Sequence, residues 1–524
     1  MNCFNRYAVF FIVFLWVNLR YMNKMILIFT LFSLDVLTST AQEITYSPIV
    51  KKDTKGMYFE IIGKVDNHFL VYKNVSRHHY ITTYDEAMNV VDNHSLDAIP
   101  EKIINIDFIN RKDYTIIIYQ FQKNSIVYCN ALKFSGNAKI IGEPIGMDTT
   151  EISYFSDNTI YTTSFSEDKT KILIAKQNAK NNKIEIATKL FDQDFNLLEA
   201  SKNTFPYNSR KENFSDCYVD NNGNFLYTKE TQKNANGFVN KLEVFVHKRG
   251  TDTNNVFLLP LDNKFVDESF IKIDNLNHSY IINAFFFNEN RGHVQGIFTA
   301  RIPTIADSLS TSNFNLFSDA IRDGLNGEGN SNDNLDDLKP QNIILKKDGG
   351  FLLISESVYT QTRSTDNILN KNFYYNGFPN SYDYYGYNSY GNANRYWNNY
   401  NQNEIKRYFY NDIVVANIDS SLHMNWNNII HKKQYDVDND NFISYAILNS
   451  GREVHFLFIE KDNKKDIISN NSIFSTGELK RYPTLKSNEN GFEFMPKLGK
   501  QVGIDQMLIP YVYFGNIGFA KIDF

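Results

Sequence analysis

Long apolar runs, cysteine and proline are all scarce in this chain of 524 residues. Its longest apolar runs, residues 8–19 and 25–37, are shorter than the roughly 18 to 20 residues that a membrane-spanning helix needs, so we expect no membrane span in the mature chain. Beyond residue 41 only Cys129 and Cys217 remain, too few to hold together a chain of this length. Both lie in strand-like segments, which favours buried, apolar thiols.

Common enzyme signatures are also missing from the sequence. It contains no His-Glu-x-x-His, Cys-x-x-Cys, phosphate-binding loop or Gly-x-Ser-x-Gly pattern. His78 and His79 are adjacent on a predicted strand, so their side chains should point to opposite faces and serve structural roles. We expect no cofactor, with calcium as the one exception considered below.

Sustained helical periodicity is absent after Gln42, and the sequence shows instead a pattern of a polar turn followed by an apolar strand. This pattern recurs roughly every 50 to 60 residues, which is typical of an array of supersecondary units. A polar turn precedes the second strand of each unit. These second strands are predicted to begin near Phe69, Tyr114, Ile172, Phe225, Tyr280, Phe351, Val454 and Leu508.

A second polar turn follows within each unit, most clearly at Asp85, Asp192 and Asp419. Two hairpin turns per unit imply four antiparallel strands, and repeated four-stranded units predict an all-β fold, the β-propeller. The spacing predicts eight blades, with seven as the alternative. The last unit ends at its third strand, residues 517–524, so residues 44–50 are expected to supply the fourth and close the last blade.

An outer-membrane β-barrel is the alternative architecture, because the chain is rich in aromatic residues and ends in Phe524. Barrel strands alternate strictly between apolar and polar residues. The segments at Ile116-Ile117-Ile118 and Ile172-Leu173-Ile174 are instead apolar on both faces, as strands packed between neighbouring sheets are. The propeller is therefore the preferred interpretation.

The N-terminal segment has the layout of a secretory signal. Lys24 supplies a basic start, residues 25–32 an apolar core, and residues 38–41 the small side chains before a cut at Gln42. Met22 is a plausible true start, and an uncleaved anchor is the alternative. We predict a signal peptide at 1–41, a single propeller domain at 42–524, and a periplasmic, cell-surface or secreted location.

The net charge and the amino-acid composition of the chain indicate which partners to expect. Removing residues 1–41 takes away three basic residues and one acidic residue, which moves the net charge from −5 to −7 and argues against nucleic acid as a partner. The richness in Asn, Lys, Ile, Tyr and Phe, with only 11 Pro, resembles secreted proteins of the Bacteroidota, including exported multi-bladed propellers. That resemblance implies export and no particular activity.

Two segments are candidate sites. An insertion at 363–407, rich in Tyr, Asn and Gly, is typical either of a binding loop for sugars or proteins, or of a low-complexity loop without a role. Its candidate binding residues are Tyr382, Tyr384, Tyr385, Tyr387, Tyr390, Tyr396, Trp397 and Tyr400.

The second candidate is a calcium loop, because Asp436, Asp438 and Asp440 have the spacing of one, although Asn441 replaces the usual Gly. A solvated acidic loop is the alternative.

These features predict a non-catalytic, exported propeller that binds a protein or a glycan. The alternative is an exported propeller hydrolase or lyase, since propellers can gather side chains from distant blades around the central channel. Two or more carboxylates at the channel mouth would favour the enzyme.

Overall fold

The computed structural model describes residues 43–49, 57–153, 158–234, 237–305, 311–325, 335–364, 404–437, 439–462, 465–485 and 491–524. The larger of the two units into which the chain divides is Ile44–Ile522. Its helical elements with defined bounds are α1 (Asp319–Gly324) and a 3-10 turn at Pro496–Leu498. None of the helices within the described residues has the length and apolarity to cross a membrane.

Most of the larger unit consists of antiparallel sheets whose strands follow the order of the sequence. Two of these sheets contain β2 (Tyr58–Val65), β3 (His68–Val75), β4 (His78–Tyr84) and β5 (Val90–Ser95), and then β6 (Asn105–Asn110), β7 (Tyr114–Lys123), β8 (Ile126–Ser135) and β9 (Ile140–Glu151). Two more contain β10 (Tyr161–Phe165), β11 (Lys171–Lys180), β12 (Lys183–Asp192) and β13 (Leu197–Pro206), and β29 (Tyr445–Asn449), β30 (Glu453–Asp462), β31 (Lys465–Phe474) and β32 (Leu479–Arg481).

Two further sheets vary this pattern. One contains β24 (Leu338–Leu345), β25 (Phe351–Ser364), β26 (Glu404–Ile418) and β27 (Met424–Ile430), with β28 (Gln434–Val437) also paired to β26. The other has ten strands: β14 (Glu212–Phe214), β15 (Tyr218–Val219), β16 (Phe225–Gln232), β17 (Val239–His247), β18 (Asn254–Leu258), β19 (Phe265–Val266), β20 (Phe270–Asp274), β21 (Ser279–Phe287), β22 (Val294–Pro303) and β23 (Thr311–Leu316). Two four-stranded sets, β15 to β18 and β20 to β23, form most of this sheet. β14 pairs with β16 alongside β15, and β19 joins the two sets because it pairs with both β17 and β21.

The remaining sheet brings the two ends of the larger unit together. It contains β33 (Phe492–Phe494), β34 (Lys500–Gln501), β35 (Gln506–Tyr513), β36 (Asn516–Asp523) and β1 (Glu43–Tyr46). β1 lies at the edge of the sheet beside β36. The Ser47 amide donates to the Phe519 carbonyl at 2.9 Å, and the Phe519 amide donates to Ser47 Oγ at 3.0 Å. The predicted closing strand is thus present, although it is shorter than residues 44–50.

The prediction of a β-propeller is confirmed. All eight predicted second strands are present, and each starts within two residues of the expected position. The first strands of neighbouring sheets also contact one another, as strands around a propeller axis should. These contacts join β2 to β6 and β34, β15 to β10 and β20, β20 to β24, and β29 to β34.

Burial explains why the second strands are apolar on both faces. Ile116, Ile117 and Ile118 in β7 are completely buried, and every residue of β21 is buried. Such strands have a packed neighbour on each side, so neither face needs polar residues. Fourth strands such as β5 and β13 have no buried residue: half of their residues are exposed and the other half are partly exposed. Cys129 and Cys217 are buried free thiols, as their sequence context predicts.

Asp and Asn side chains form the turns that separate the strands. Asp192 Oδ1 accepts the backbone amide of Asn196 at 2.9 Å, while the Asn196 side chain donates to Asp192 Oδ2 at 2.9 Å. Asp220 and Asn224 repeat this pair of bonds in another sheet. A carboxylate that receives the turn's own amides favours a tight hairpin over a longer loop.

The predicted insertion lies between β25 and β26. These strands pair out to Ser364 and Glu404, so both ends of the predicted segment 363–407 are strand residues. Residues 365–403 lie outside the described residues.

Candidate functional site

A cavity of about 450 Å³ opens where the first strands of four sheets end. It is lined by Ile62, Gly63, Lys64, Asn110, Arg111, Lys112, Asp168, Lys169, Lys500, Gln501 and Val502. These residues belong to β2, β6 and β34 and to the turns that follow β6, β10 and β34. We call this cavity the inner-strand pocket. It combines side chains that are hundreds of residues apart in the sequence.

Positive charge dominates the inner-strand pocket. Five of its lining residues are basic, namely Lys64, Arg111, Lys112, Lys169 and Lys500, and one, Asp168, is acidic. Lys500 is almost fully buried. Lys64 forms an ion pair with Glu86 and contacts Gln506 at 3.1 Å. The pocket is therefore basic, although the chain as a whole has a net charge of −5.

The other polar side chains of the pocket are already engaged in holding its walls. Asn110 Nδ2 donates to the Lys64 carbonyl at 3.1 Å, and its Oδ1 accepts from Thr115 at 3.0 Å. Gln501 binds the Asn449 backbone through both ends of its amide. Asp168 accepts the amide of Thr170 at 3.0 Å and so belongs to its own turn.

Gly63 allows β2 and β6 to approach closely at the pocket wall. Its φ of +136° disfavours any side chain, and a Cβ atom there would lie 2.5 Å from Asn110 Nδ2. The register of β2 against β3 shifts at this point, between Ile61 and Gly63. The bulge lets the Asn110 amide reach the Lys64 carbonyl and fixes the adjacent side chains.

Two buried carboxylates stand on strands that contribute to the pocket wall, Glu60 on β2 and Asp107 on β6. They are 8% and 6% exposed, and neither lines the cavity. Burial raises the pKa of Glu60 to about 8, against the opposing charge of Lys500 and with a further increase from Asp107. Burial also raises the pKa of Asp107 to about 7, although hydrogen bonds from Thr163 and Asn105 work in the opposite direction. Near neutral pH both groups are therefore largely or partly protonated.

A second cluster of acidic residues lies in the ten-stranded sheet: Glu230 on β16, and Asp267 and Glu268 between β19 and β20. Glu230 Oε1 accepts both the amide and the hydroxyl of Ser269 at 2.7 Å. Burial, followed by the charges of Glu230 and Asp267, raises the pKa of Glu268 to about 8. Across the described residues, no set of three or more His, Cys, Asp or Glu side chains is arranged to hold a metal ion. The hydrogen bonds from Ser269 indicate a structural role for Glu230.

The residues predicted for the calcium loop are only partly described. Asp440 is buried, accepts the Tyr410 hydroxyl at 2.6 Å and forms an ion pair with Lys497. Asp436 is a strand residue of β28, and its Oδ1 accepts the Val437 amide at 2.7 Å. Asp438 lies outside the described residues. The structure gives Asp440 a cationic partner from the protein itself, and the calcium site stays a prediction.

The eight predicted aromatic binding residues, Tyr382 to Tyr400, also lie outside the described residues and stay a prediction.

His79 has a structural position: it is buried, with Nδ1 2.6 Å from the Tyr72 hydroxyl and Nε2 2.9 Å from the Pro100 carbonyl. His78, the adjacent residue, is exposed. The two side chains thus have the opposite orientations that a strand requires.

Sequence reasoning missed the residues of the inner-strand pocket. A usable signal was present, because Lys64, Arg111, Lys112 and Lys169 all stand at or just before the recurring turn. Aligning the turns would have placed these side chains at the same end of neighbouring first strands.

Comparisons with known proteins assign no activity to this chain. No family model matches the chain, and no curated protein sequence matches it. Prolyl oligopeptidase B from Galerina marginata, solved with a 25mer macrocyclization substrate, is similar over 87% of this chain and 55% of its own length, at 8% identity and a TM-score of 0.37. The chain therefore spans little more than half of that enzyme.

Two other solved structures are similar over most of their own length. The β-propeller domain of the Trilobed protease from Pyrococcus furiosus matches 80% of this chain and 95% of its own, at 8% identity and a TM-score of 0.33. A polysaccharide lyase of family PL25, an ulvan lyase, matches 79% and 90%, at 11% identity and a TM-score of 0.35. None of these likenesses transfers a site residue to this chain.

Proposed function

We propose that this chain is an exported, eight-bladed β-propeller that binds a protein or a glycan and does not transform it. The inner-strand pocket carries the proposal. It is a concave site of the size that small ligands occupy, and it is built from four sheets at the ends of their first strands. Counting the two four-stranded sets of the ten-stranded sheet separately supports eight blades.

The composition of the pocket favours binding over catalysis. Among the described residues that line it there is no Ser, Thr, Cys or His, and the single carboxylate, Asp168, is held by its own turn. Hydrolysis or elimination at a sugar generally uses two groups that exchange protons with the substrate. Glu60 and Asp107 form such a pair chemically, but both are buried and neither lines the pocket.

Export is supported by the N-terminal segment, with its basic start at Lys24, its apolar core and the small residues before Gln42. A periplasmic, cell-surface or secreted protein meets envelope proteins and glycans, which are the proposed ligand classes.

The test is ligand capture with and without an obstructed pocket. The chain beginning at Gln42 is immobilised and exposed to a glycan array and to an envelope extract. Lys112→Trp places a bulky ring on an exposed lining residue, and Lys139→Trp makes the same change at an exposed residue outside the pocket. We expect capture by wild type and by Lys139→Trp, loss of capture by Lys112→Trp, and recovery of the ligand with unchanged mass. Equal capture by all three proteins, or a ligand cleaved by the wild type, would contradict the proposal.

A further inference from the structure

We infer that the inner-strand pocket binds a compact polyanionic part of a protein or glycan, with two or more carboxylate, sulfate or phosphate groups. This inference rests on the proposed binding function and specifies the ligand of the same site. The contrast of charge is its starting point: five basic side chains converge in a chain whose acidic residues outnumber its basic ones. A positive cavity in an acidic protein concentrates anions locally.

The charges of the pocket are unequally distributed. Glu86 pairs with Lys64, and Asp168 is the one carboxylate among the described lining residues. Glu60 interacts with Lys500, which is buried, and its raised pKa of about 8 keeps Glu60 mainly protonated at neutral pH. Arg111 and Lys112 supply two further positive charges at the pocket wall, so a ligand with two or more negative charges matches the site.

Two of the cations are directly available to a ligand. Within the described part of the chain, no carboxylate lies within ion-pair distance of Arg111 or Lys112. The Arg111 guanidinium is positioned by a hydrogen bond to the Lys169 carbonyl and by the Tyr114 ring, 5.6 Å away. A guanidinium held in this way offers further N–H donors in a fixed orientation, which suits an oxyanion.

Recognition should depend on charge more than on hydroxyl groups. The amides of Asn110 and Gln501 are committed to backbone and side-chain partners, so the donors that remain are those of the cations. A volume of about 450 Å³ accommodates a small molecule or one or two units of a longer chain, which is why the ligand is compact.

Titration calorimetry on the chain beginning at Gln42 tests the inference with four probes: pyrophosphate, digalacturonate, tetraglutamate and the neutral disaccharide lactose. We expect at least one anion to bind and lactose not to bind, and affinity to fall as salt is raised because exposed charges are screened. The anion that binds most tightly identifies the source as a phosphate compound, an acidic saccharide or an acidic peptide. Reversing two pocket charges with Lys112→Glu and Lys169→Glu should weaken binding tenfold or more, about 1.4 kcal/mol.

The matched control is Lys139→Glu with Lys183→Glu, which makes the same change of net charge at exposed residues outside the pocket and should leave affinity unchanged. If the first double variant fails to fold, as judged by circular dichroism, Lys112→Gln removes a single charge and should still weaken binding measurably. Binding of lactose as tight as that of the anions, or anion binding unaffected by the pocket variants, would overturn the inference. If the glycan array or extract yields a ligand but no anion binds, the inference fails and the proposed function stands. If nothing binds in either assay, both fail.

Discussion

Glu60 should make the stability of this propeller depend on pH between 6 and 8. The carboxyl has an ordinary pKa of 4.5 in the unfolded chain, and burial raises it to about 8 in the folded chain. Across this interval the folded protein retains a proton that the unfolded chain releases, so the free energy of unfolding falls as pH rises. The contribution of this one proton from pH 6 to pH 8 is about 2 kcal/mol, because one pKa unit corresponds to about 1.4 kcal/mol.

Replacing Glu60 with Gln removes the titration and retains a side chain shaped like the protonated acid. We expect the free energy of unfolding of wild type to fall by about 2 kcal/mol more than that of Glu60→Gln between pH 6 and pH 8. Denaturant titrations at pH 6, 7 and 8 measure it. Asp107→Asn should remove a smaller slope, about 1 kcal/mol, because the pKa of Asp107 is raised only to about 7 and much of its proton is lost before pH 8.

Glu212→Gln is the control. Although partial burial opposes it, the bond to Lys229 at 2.8 Å lowers the pKa of Glu212 below its ordinary value. Glu212 is therefore ionised in both states above pH 6, and its replacement should change stability equally at pH 6 and pH 8. If Glu60→Gln keeps the full pH slope of the wild type, Glu60 is not a buried acid that holds its proton, and the reasoning about the charge that interacts with Lys500 is wrong.

Four further results are expected. Deleting residues 43–49 should lower the melting temperature or cause aggregation, because it exposes the edge of β36; a stable, soluble deletion would contradict the closing role of β1. Replacing residues 373–403 with a short Gly/Ser linker should leave circular dichroism and melting nearly unchanged, since loop length changes stability by only about 0.6 kcal/mol per doubling, and a loss of structure would refute this. Asp440→Asn should cost about 3 kcal/mol in denaturant because it removes the buried carboxylate charge that pairs with Lys497, whereas a calcium-dependent gain in wild type that the variant lacks would support the calcium loop instead. Mass spectrometry of an envelope fraction should find a mature N-terminus at Gln42, and a chain that retains residues 25–37 would count against export.

The strands could be predicted because their signals are local. Each second strand is a short apolar run directly after an Asp-, Asn- or Gly-containing turn, and both features can be read within about ten residues. The predicted starts at Phe69, Val454 and Leu508 differ from the observed ones by only one or two residues. The closing strand β1 was predictable for a different reason, since a repeat that ends one strand short leaves an edge to be covered.

The pocket could not be predicted in the same way because no local signal marks it. Lys64 and Lys500 are separated by more than four hundred residues, and the recurring turn beside Lys64 does not show which distant residues lie next to it. Segments that attract attention by composition, such as Asp436 to Asp440, owe their appearance partly to structural tasks: Asp440 is buried against Lys497 and Tyr410. In this chain, a segment of unusual composition is therefore not the same as a segment whose side chains meet at the pocket.

A propeller nevertheless offers an indirect way to find such a site. The repeat places equivalent turns at the same end of every first strand, so the differences between turns show which side of the channel carries which charge. Lys64 lies near the end of β2, and Arg111 and Lys112 follow β6, whereas Asp220 follows β15 and Asp274 ends β20. Asp220 and Asp274 accept the amides of their own turns, so the fold uses these carboxylates. Among the described residues, the side chains of Arg111 and Lys112 make no turn bond of this kind, so the turn itself does not require their positive charge. The residues that vary at a fixed structural position are then the ones to examine for binding, and here they are the residues that form the basic pocket.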